Sequence, residues 1–598
     1  MDAPRWDLRS IYPNFLGAEY KADTKKLADS ISKLSQTVAR DAPKDDVVSW
    51  VADCIKDYNT SADLFGNLSS YIYAVFSTDT KNAVVAKELN RLEEIALPLK
   101  SALISFRNRL ADVAAVVKKE SNQAKLEEKL GERYDFFLEE QLKIQAKQMS
   151  PEEEEIAEDL ARSGGSAWTR QHETISSTLS VVWNKETGER KTVTQLRSLA
   201  FDSDRNIRER AFKLELDAWK QMEIPLSYSL NGVKGFAITF NKRRRFEDDL
   251  ESALYASRIS RKTLDALIGA MEEGLGIFRR YLKAKAEYLG VGKLRFYDLF
   301  APVGTSAKKW SFAEVRSYIE GQFGRFSPAM GAFAKLAFDG GWIDAESREG
   351  KVGGAYCTDF PLAKESRVLC NFDGSFSDLQ TVAHELGHAY HGYILKDDSA
   401  IHSDYPMTLA ETASIFAQTL VFDAALTDAT GDEKIHVIEE FLQDSTQVIV
   451  DILSRFYFEK KLFSERASAE LSPEELCGFM IDAQKAAYGD GLDENFLHGY
   501  MWAAKPHYYS HDLGFYNFPY AFGLLFGLGL FNRYKKEGAA FIPQYDKVLK
   551  ATGRGSANDV TAKAGFSIEN KDFWMGGIHH IAGYVEEFER LVGSREQE

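Results

Sequence analysis

The residues best suited to chemistry lie in one segment, Thr381-Val382-Ala383-His384-Glu385-Leu386-Gly387-His388. On a helix, positions i and i+4 stand about 40° apart around the axis, so His384 and His388 leave one face a single turn apart. Two imidazoles so placed can share one zinc ion at about 2.0–2.1 Å each. Glu385 is turned about 100° from His384. That direction carries it away from direct ligation and towards a water on the metal, from which a carboxylate can take a proton.

A catalytic zinc needs a third protein ligand and an open position. One class of metal helix supplies a histidine six residues after the second; here that position is Ile394, which excludes the class. His391 would sit about 10 Å along the axis from His384, too far to share the ion, and reads as a supporting or packing residue. Glu411, in Leu409-Ala410-Glu411-Thr412-Ala413-Ser414, follows His388 by 23 residues on a second predicted helix. A turn between antiparallel helices would return it to the metal. Asp404 and Glu365 are rivals on sequence alone. Nearer the C-terminus, Pro506-His507-Tyr508-Tyr509 and Phe515-Tyr516-Asn517-Phe518-Pro519-Tyr520 bring imidazole and phenols together. Such groups can donate hydrogen bonds to a developing oxyanion, although an aromatic stripe is also ordinary core.

The elements that must position these residues are mostly helices. The 598 residues include only 14 prolines, and long stretches rich in Glu, Lys, Ala and Leu carry helical periodicity. Ser150-Pro151-Glu152-Glu153 and Ser472-Pro473-Glu474-Glu475 are helix starts: a cap, a first-turn proline and acids on the positive end. Strand signal is local. Thr178–Trp183 and Lys191–Gln195 predict a hairpin around Asn184–Gly188, and Gly353–Thr358 with Arg367–Phe372 predict a small sheet just before the metal helix. Gly164-Gly165-Ser166 reads as a joint between an N-terminal helical region and the rest. With 74 basic and 90 acidic residues the net charge is −16, which argues against nucleic acid and anionic membranes as partners. Four cysteines without CxxC spacing, and charged residues where a leader's apolar stretch would stand, predict a reducing, cytoplasmic setting. The apolar run Tyr520–Phe531 falls short of the roughly 20 residues of a membrane span and reads as buried helix.

Taken in order, the motifs resemble the M3 family of zinc peptidases, in the oligoendopeptidase F group related to thimet oligopeptidase and neurolysin. The matching pieces are Trp6-Asp7-Leu8 with Tyr12-Pro13, Phe201 through Asp204-Arg205 to Arg208, Phe296-Tyr297-Asp298-Leu299 and Gly353-Gly354-Ala355-Tyr356-Cys357. They continue with Ala383–Ala389, Ala410–Ser414, and Pro506-His507 leading to Phe515-Tyr516 and Tyr520-Ala521. The resemblance implies a mainly α, two-lobed helical ellipsoid with a deep central channel and one small sheet beside the HExxH helix. It implies an N-terminal helical region, 1–180, packed around the channel with a catalytic region, 181–598. It selects Glu411 as third ligand to one Zn2+ per chain, and makes His507, Tyr516 and Tyr520 transition-state contacts. Gly354 and Ala355 resemble the edge strand that pairs with substrate backbone, and Tyr509 joins them as a substrate contact. Phe518 stands where the group tends to carry a further tyrosine, so Tyr520 is the first choice for the oxyanion.

The activity implied is endopeptidase cleavage of short, unstructured peptides, with Glu385 as general base. A zinc carboxypeptidase is the alternative within enzymes. A non-catalytic peptide-binding scaffold is the alternative of another class, and the intact Glu385 argues against it, because a binder needs no general base.

Overall fold

The computed structural model describes residues 3–40, 46–304 and 308–595 and is mainly α-helical, as expected. The helices used below are α1 (Ala18–Ala39), α2 (Val47–Thr78), α3 (Ala83–Val117), α4 (Pro151–Ser163) and α5 (Gly165–Thr178). They continue with α6 (Glu223–Arg243), α7 (Phe376–Leu395), α8 (Met407–Asp428), α9 (Ile452–Arg466) and α10 (Phe518–Glu537). The strands among the described residues are β1 (Ser180–Val182), β2 (Arg190–Thr192), β3 (Ile343–Glu346), β4 (Tyr356–Phe360) and β5 (Glu365–Phe372).

Capping chemistry fixes where helices begin. Ser150 and Glu153 close a capping box ahead of α4, and Ser472 and Glu475 close another. Before α7, Ser375 Oγ accepts from the Asp378 N–H at 3.1 Å, while the Asp378 carboxylate accepts from the N–H groups of Asp373, Gly374 and Ser375, each at 2.9 Å. The donors that a helix start leaves orphaned are thereby satisfied, and the metal helix has a fixed origin.

By packing, the chain divides into two units, each drawn from three stretches. The first comprises Met1–Gln148, Lys308–Ala424 and Arg533–Gly565; the second comprises Met149–Ala307, Ala425–Asn532 and Phe566–Glu598. This differs from the sequential division into 1–180 and 181–598, because the chain returns to each unit after leaving it. Gly164 and Gly165 form a corner between α4 and α5 inside the second unit and mark no boundary.

In the first unit, α1, α2 and α3 bury Trp50, Phe106 and Leu110 in one cluster and Tyr20, Leu68 and Tyr71 in another. The sheet runs in the order β3-β5-β4. β4 pairs antiparallel to β5, with Tyr356 opposite Leu369 and Phe360 opposite Glu365, and β3 pairs parallel to β5 with an irregularity between Asp344 and Glu346. β3 was not foreseen. The Lys351 ammonium, 2.7 Å from the Asp344 carboxylate and 2.6 Å from the Cys370 carbonyl, pins the connection that follows β3 to the sheet.

In the second unit, the hairpin forms with Ser180 opposite Thr192 and Val182 opposite Arg190. Its second strand stops at Thr192, short of Gln195, because Thr192 and Gln195 make a capping box that turns the chain into helix Val193–Ser198. The Phe296–Leu299 motif proves structural: Asp298 is fully buried and held by Arg205 at 2.8 Å and Arg208 at 3.0 Å. A buried pair, Lys234 of α6 and Glu459 of α9 at 2.8 Å, ties those helices together. The apolar run Tyr520–Phe531 lies in α10 and is largely buried. Among the described residues one helix, α8, is long and apolar enough by composition to cross a membrane; it is mostly buried and carries Glu411.

Candidate active site

His384, His388 and Glu411 come together, with ligand atoms all within 4.8 Å of one another. The Glu411 Oε2 lies 3.2 Å from His384 Nε2 and 3.4 Å from His388 Nε2. A tetrahedral zinc with ligands at about 2.0–2.1 Å has donor–donor edges of about 3.3 Å, which the two edges from Glu411 to the histidines match. The rivals stand elsewhere: Glu365 accepts from Ser10 and Arg367, and Asp404 is not part of the group. His391 is buried, stacked on Tyr405, with Nε2 2.9 Å from the Thr552 hydroxyl, which makes it the packing residue expected.

One missing methyl group lets α8 approach. A Cβ on Gly387 would lie 2.6 Å from the Ala413 carbonyl oxygen, 2.6 Å from Ser414 Cα and 2.9 Å from Ala417 Cβ. Because Gly387 stands between the two histidines, the helices close where Glu411 must reach the metal. Two further side chains orient the donors. The Gln418 Oε1 lies 2.9 Å from His384 Nδ1, fixing the ring so that Nε2 faces the group. The Ser414 hydroxyl donates to Glu411 Oε2 at 2.6 Å. Sequence reading missed both, although Ser414 and Gln418 follow Glu411 by three and seven residues and so share its face.

The electrostatics are those of a site built for a cation. Burial disfavours a charge on His384, but the hydrogen bond and charge of Glu411 outweigh it and hold the imidazole up to about 9. Burial would raise Glu411, and the two histidines instead hold it far below the usual carboxylate range. Glu385 is nine-tenths buried, and burial pushes its carboxyl above the ordinary range. That moves it towards the range useful to a general base.

Gly354 and Ala355 lie at the mouth of β4, the edge strand. Gly354 has φ +79°, a turn that favours glycine, and its carbonyl accepts from Asn371 Nδ2 at 3.1 Å. β4 itself is drawn against α7, since a Cβ on Gly392 would collide with the Asp359 carboxylate.

The second unit assembles His507, Tyr516 and Tyr520. Ring centroids are 5.8 Å apart for His507–Tyr516, 6.3 Å for His507–Tyr520 and 5.6 Å for Tyr516–Tyr520. Burial, aided by the Arg455 and Lys505 charges, lowers His507 to about 4, so it is a neutral imidazole at physiological pH. Its buried Nδ1 has no partner among the described residues. Tyr509 departs from expectation. It is fully buried, stacked on His172 at 3.7 Å, with its carbonyl accepting from Thr169 at 2.6 Å. Its side chain is packed in the core of the second unit. Phe518 is likewise buried. Phe515 turns the chain ahead of Tyr516 at φ +54°, a left-handed conformation, with its ring stacked 5.2 Å from Phe463.

A sequence model described as peptidase family M3 matches residues 329–579, spanning the metal group and His507, Tyr516 and Tyr520, and one described as oligopeptidase F matches 116–180. The chain belongs to peptidase family M3. M3 peptidases are generally metal-dependent, in keeping with the His384–His388–Glu411 group. Oligopeptidase PepF of Bacillus subtilis is 22% identical over 604 residues, covering 98% of this chain and 87% of that protein. The chromosomal oligoendopeptidase F of Lactococcus lactis subsp. cremoris is 26% identical over 400 residues, covering 66% of this chain. The match spans 65% of that relative, just under two thirds. A solved structure of a Chlamydophila abortus protein shares the fold with a TM-score of 0.80 at 19% identity, covering 98% of each chain.

Proposed function

We propose that this M3 family member is a zinc-dependent endopeptidase that hydrolyses internal bonds of short, unstructured peptides. The observation that carries the reading is the donor group His384, His388 and Glu411 with the buried Glu385 beside it on the same helix. Zinc held there would polarise a carbonyl and bring the pKa of water towards about 7. Glu385 accepts a proton from the attacking water and delivers it to the leaving amine. His507, a neutral imidazole, and Tyr520 donate to the developing oxyanion, each worth about 3 kcal/mol; Tyr516 supports them. The edge strand β4, entered through the turn at Gly354 and Ala355, receives the peptide as an added strand, which gives affinity with little side-chain selectivity. A cytoplasmic setting agrees with the four free cysteines.

The test is mass spectrometry of a short peptide, acetylated and amidated, incubated with the protein with and without a chelator. Internal cuts that vanish with chelator and return with zinc are expected. An uncut blocked peptide, with the free-ended form trimmed from its C-terminus, would establish a carboxypeptidase instead. Zinc bound but neither peptide cut would leave a binding scaffold.

A further inference from the structure

A cavity of about 600 Å³ opens in the second unit among α4, α5, α6 and the end of α9. Its walls include Leu160, Trp168, Phe236, Phe240 and Arg466. Flat groups are laid directly on glycine backbone around it. A Cβ on Gly232 would stand 2.5 Å from the Trp168 indole Nε1, and one on Gly165 would stand 2.5 Å from Cγ of His511. One on Gly235 would strike the Arg466 guanidinium. Phe236 and Phe240 stack at 4.2 Å between centroids, and His511 meets Phe236 edge-on at 5.3 Å. Leu160 at the rim is 58% exposed.

Arg466 is the charged group in this aromatic wall. Its Nε donates to the Asn231 carbonyl at 3.0 Å, which fixes the plane of the guanidinium. Among the described residues no carboxylate pairs with it. Its neighbours are paired: Lys234 with Glu459 at 2.8 Å, and Arg244 with Glu154 at 2.8 Å. In a chain of net charge −16, acidic partners are not scarce. A guanidinium carries a planar fork of N–H donors that matches a carboxylate, and the Nη side of this fork is uncommitted.

We propose that this cavity binds a carboxylate attached to an aromatic or large apolar body, with Arg466 holding the carboxylate and Trp168 and Phe240 the body. The free C-terminal residue of a peptide has this chemistry. The hydrolysis proposed above would make one at every turnover; that source of ligand rests on that reading, and the site does not.

The test uses the full chain stripped of metal, so that its outcome is independent of hydrolysis. Titration calorimetry with N-acetylphenylalanine and with its amide should show saturable binding of the acid and binding of the amide weaker by about tenfold or more. Arg466→Gln should weaken the acid by a similar factor and leave the amide unchanged. Arg466→Lys, which keeps charge without the fork, should fall between. The acid should also quench a fluorescence component that Trp168→Phe lacks. Equal binding of acid and amide by the unmodified protein, wild-type affinity in Arg466→Gln, or no saturable binding of the acid would each overturn the proposal.

Discussion

Gly387→Ala adds one methyl group where the metal helix meets the helix that carries Glu411. The new Cβ would lie 2.6 Å from both the Ala413 carbonyl oxygen and Ser414 Cα. Carbon contacts are comfortable at about 3.5–4.0 Å, so α7 and α8 must part by about 0.9 Å or more. Metal sites tolerate only about 0.2 Å in ligand distance, so Glu411 would leave its place. Damage of this kind to a metal site typically lowers affinity 10–100-fold. Two effects oppose each other in the metal-free chain. Alanine is better than glycine inside a helix by about 1 kcal/mol. Overpacking costs about 1–3 kcal/mol. The expected result is a small net loss of stability without metal and a much reduced stabilisation by zinc, since a 100-fold weaker site forfeits up to about 2.7 kcal/mol at fixed zinc. Competition against a chromogenic chelator and thermal melts with and without zinc measure both. A variant that binds zinc like the wild type, or whose metal-free form melts higher, would refute the claim that Gly387 sets the helix separation.

Glu385→Gln should keep zinc and lose turnover by about 10²–10⁴-fold, read by metal analysis beside peptide cleavage; near-normal activity would remove Glu385 as base. Gln418→Leu should loosen zinc about 10–100-fold by freeing the His384 ring, as measured by the same chelator competition. Because His384 is held up to about 9 without metal, zinc binding at neutral pH must displace its proton. Calorimetry in buffers of different ionisation enthalpy should therefore show proton release that fades as pH rises through that value. His507, depressed to about 4, should show no imidazole titration by NMR between neutrality and mildly acid pH, gaining charge only as pH falls through that value; a midpoint near its ordinary value would show that burial does not keep it neutral. His507→Phe should leave zinc in place and cost about 10²–10³-fold in kcat.

Local chemistry was legible in the sequence where it has a period or a fixed spacing. The i, i+4 histidines, the serine caps before α4 and Pro473, and the strands around Arg367–Phe372 all follow short-range rules. Glu411 needed the family's ordered motifs, since spacing alone left Asp404 and Glu365 in play. β3 escaped because Ile343-Asp344-Ala345-Glu346 is short, and Asp344 sits buried there through pairing with Arg348 and Lys351, four and seven residues further on and outside the strand pattern. Tyr509 was misassigned because a phenol beside His507 reads the same in sequence whether it faces a cavity or, as here, lies flat on His172. The three-stretch make-up of each unit leaves no local trace, because it arises from where helices dock after long separations in sequence.

The left-handed turn at Phe515 bears on the order of assembly. A phenylalanine in that conformation gives up about 1–2 kcal/mol, so the turn is unfavourable on its own. It persists because its ring is wedged between Phe456 and Phe463 of α9, and because the next residue but one, Asn517, donates to Glu459 at 3.0 Å. Those anchors exist only after α9 is formed and docked. In a refolding chain, helix content should therefore return before Tyr516 and Tyr520 reach their places beside His507, so that catalytic competence would lag behind compactness.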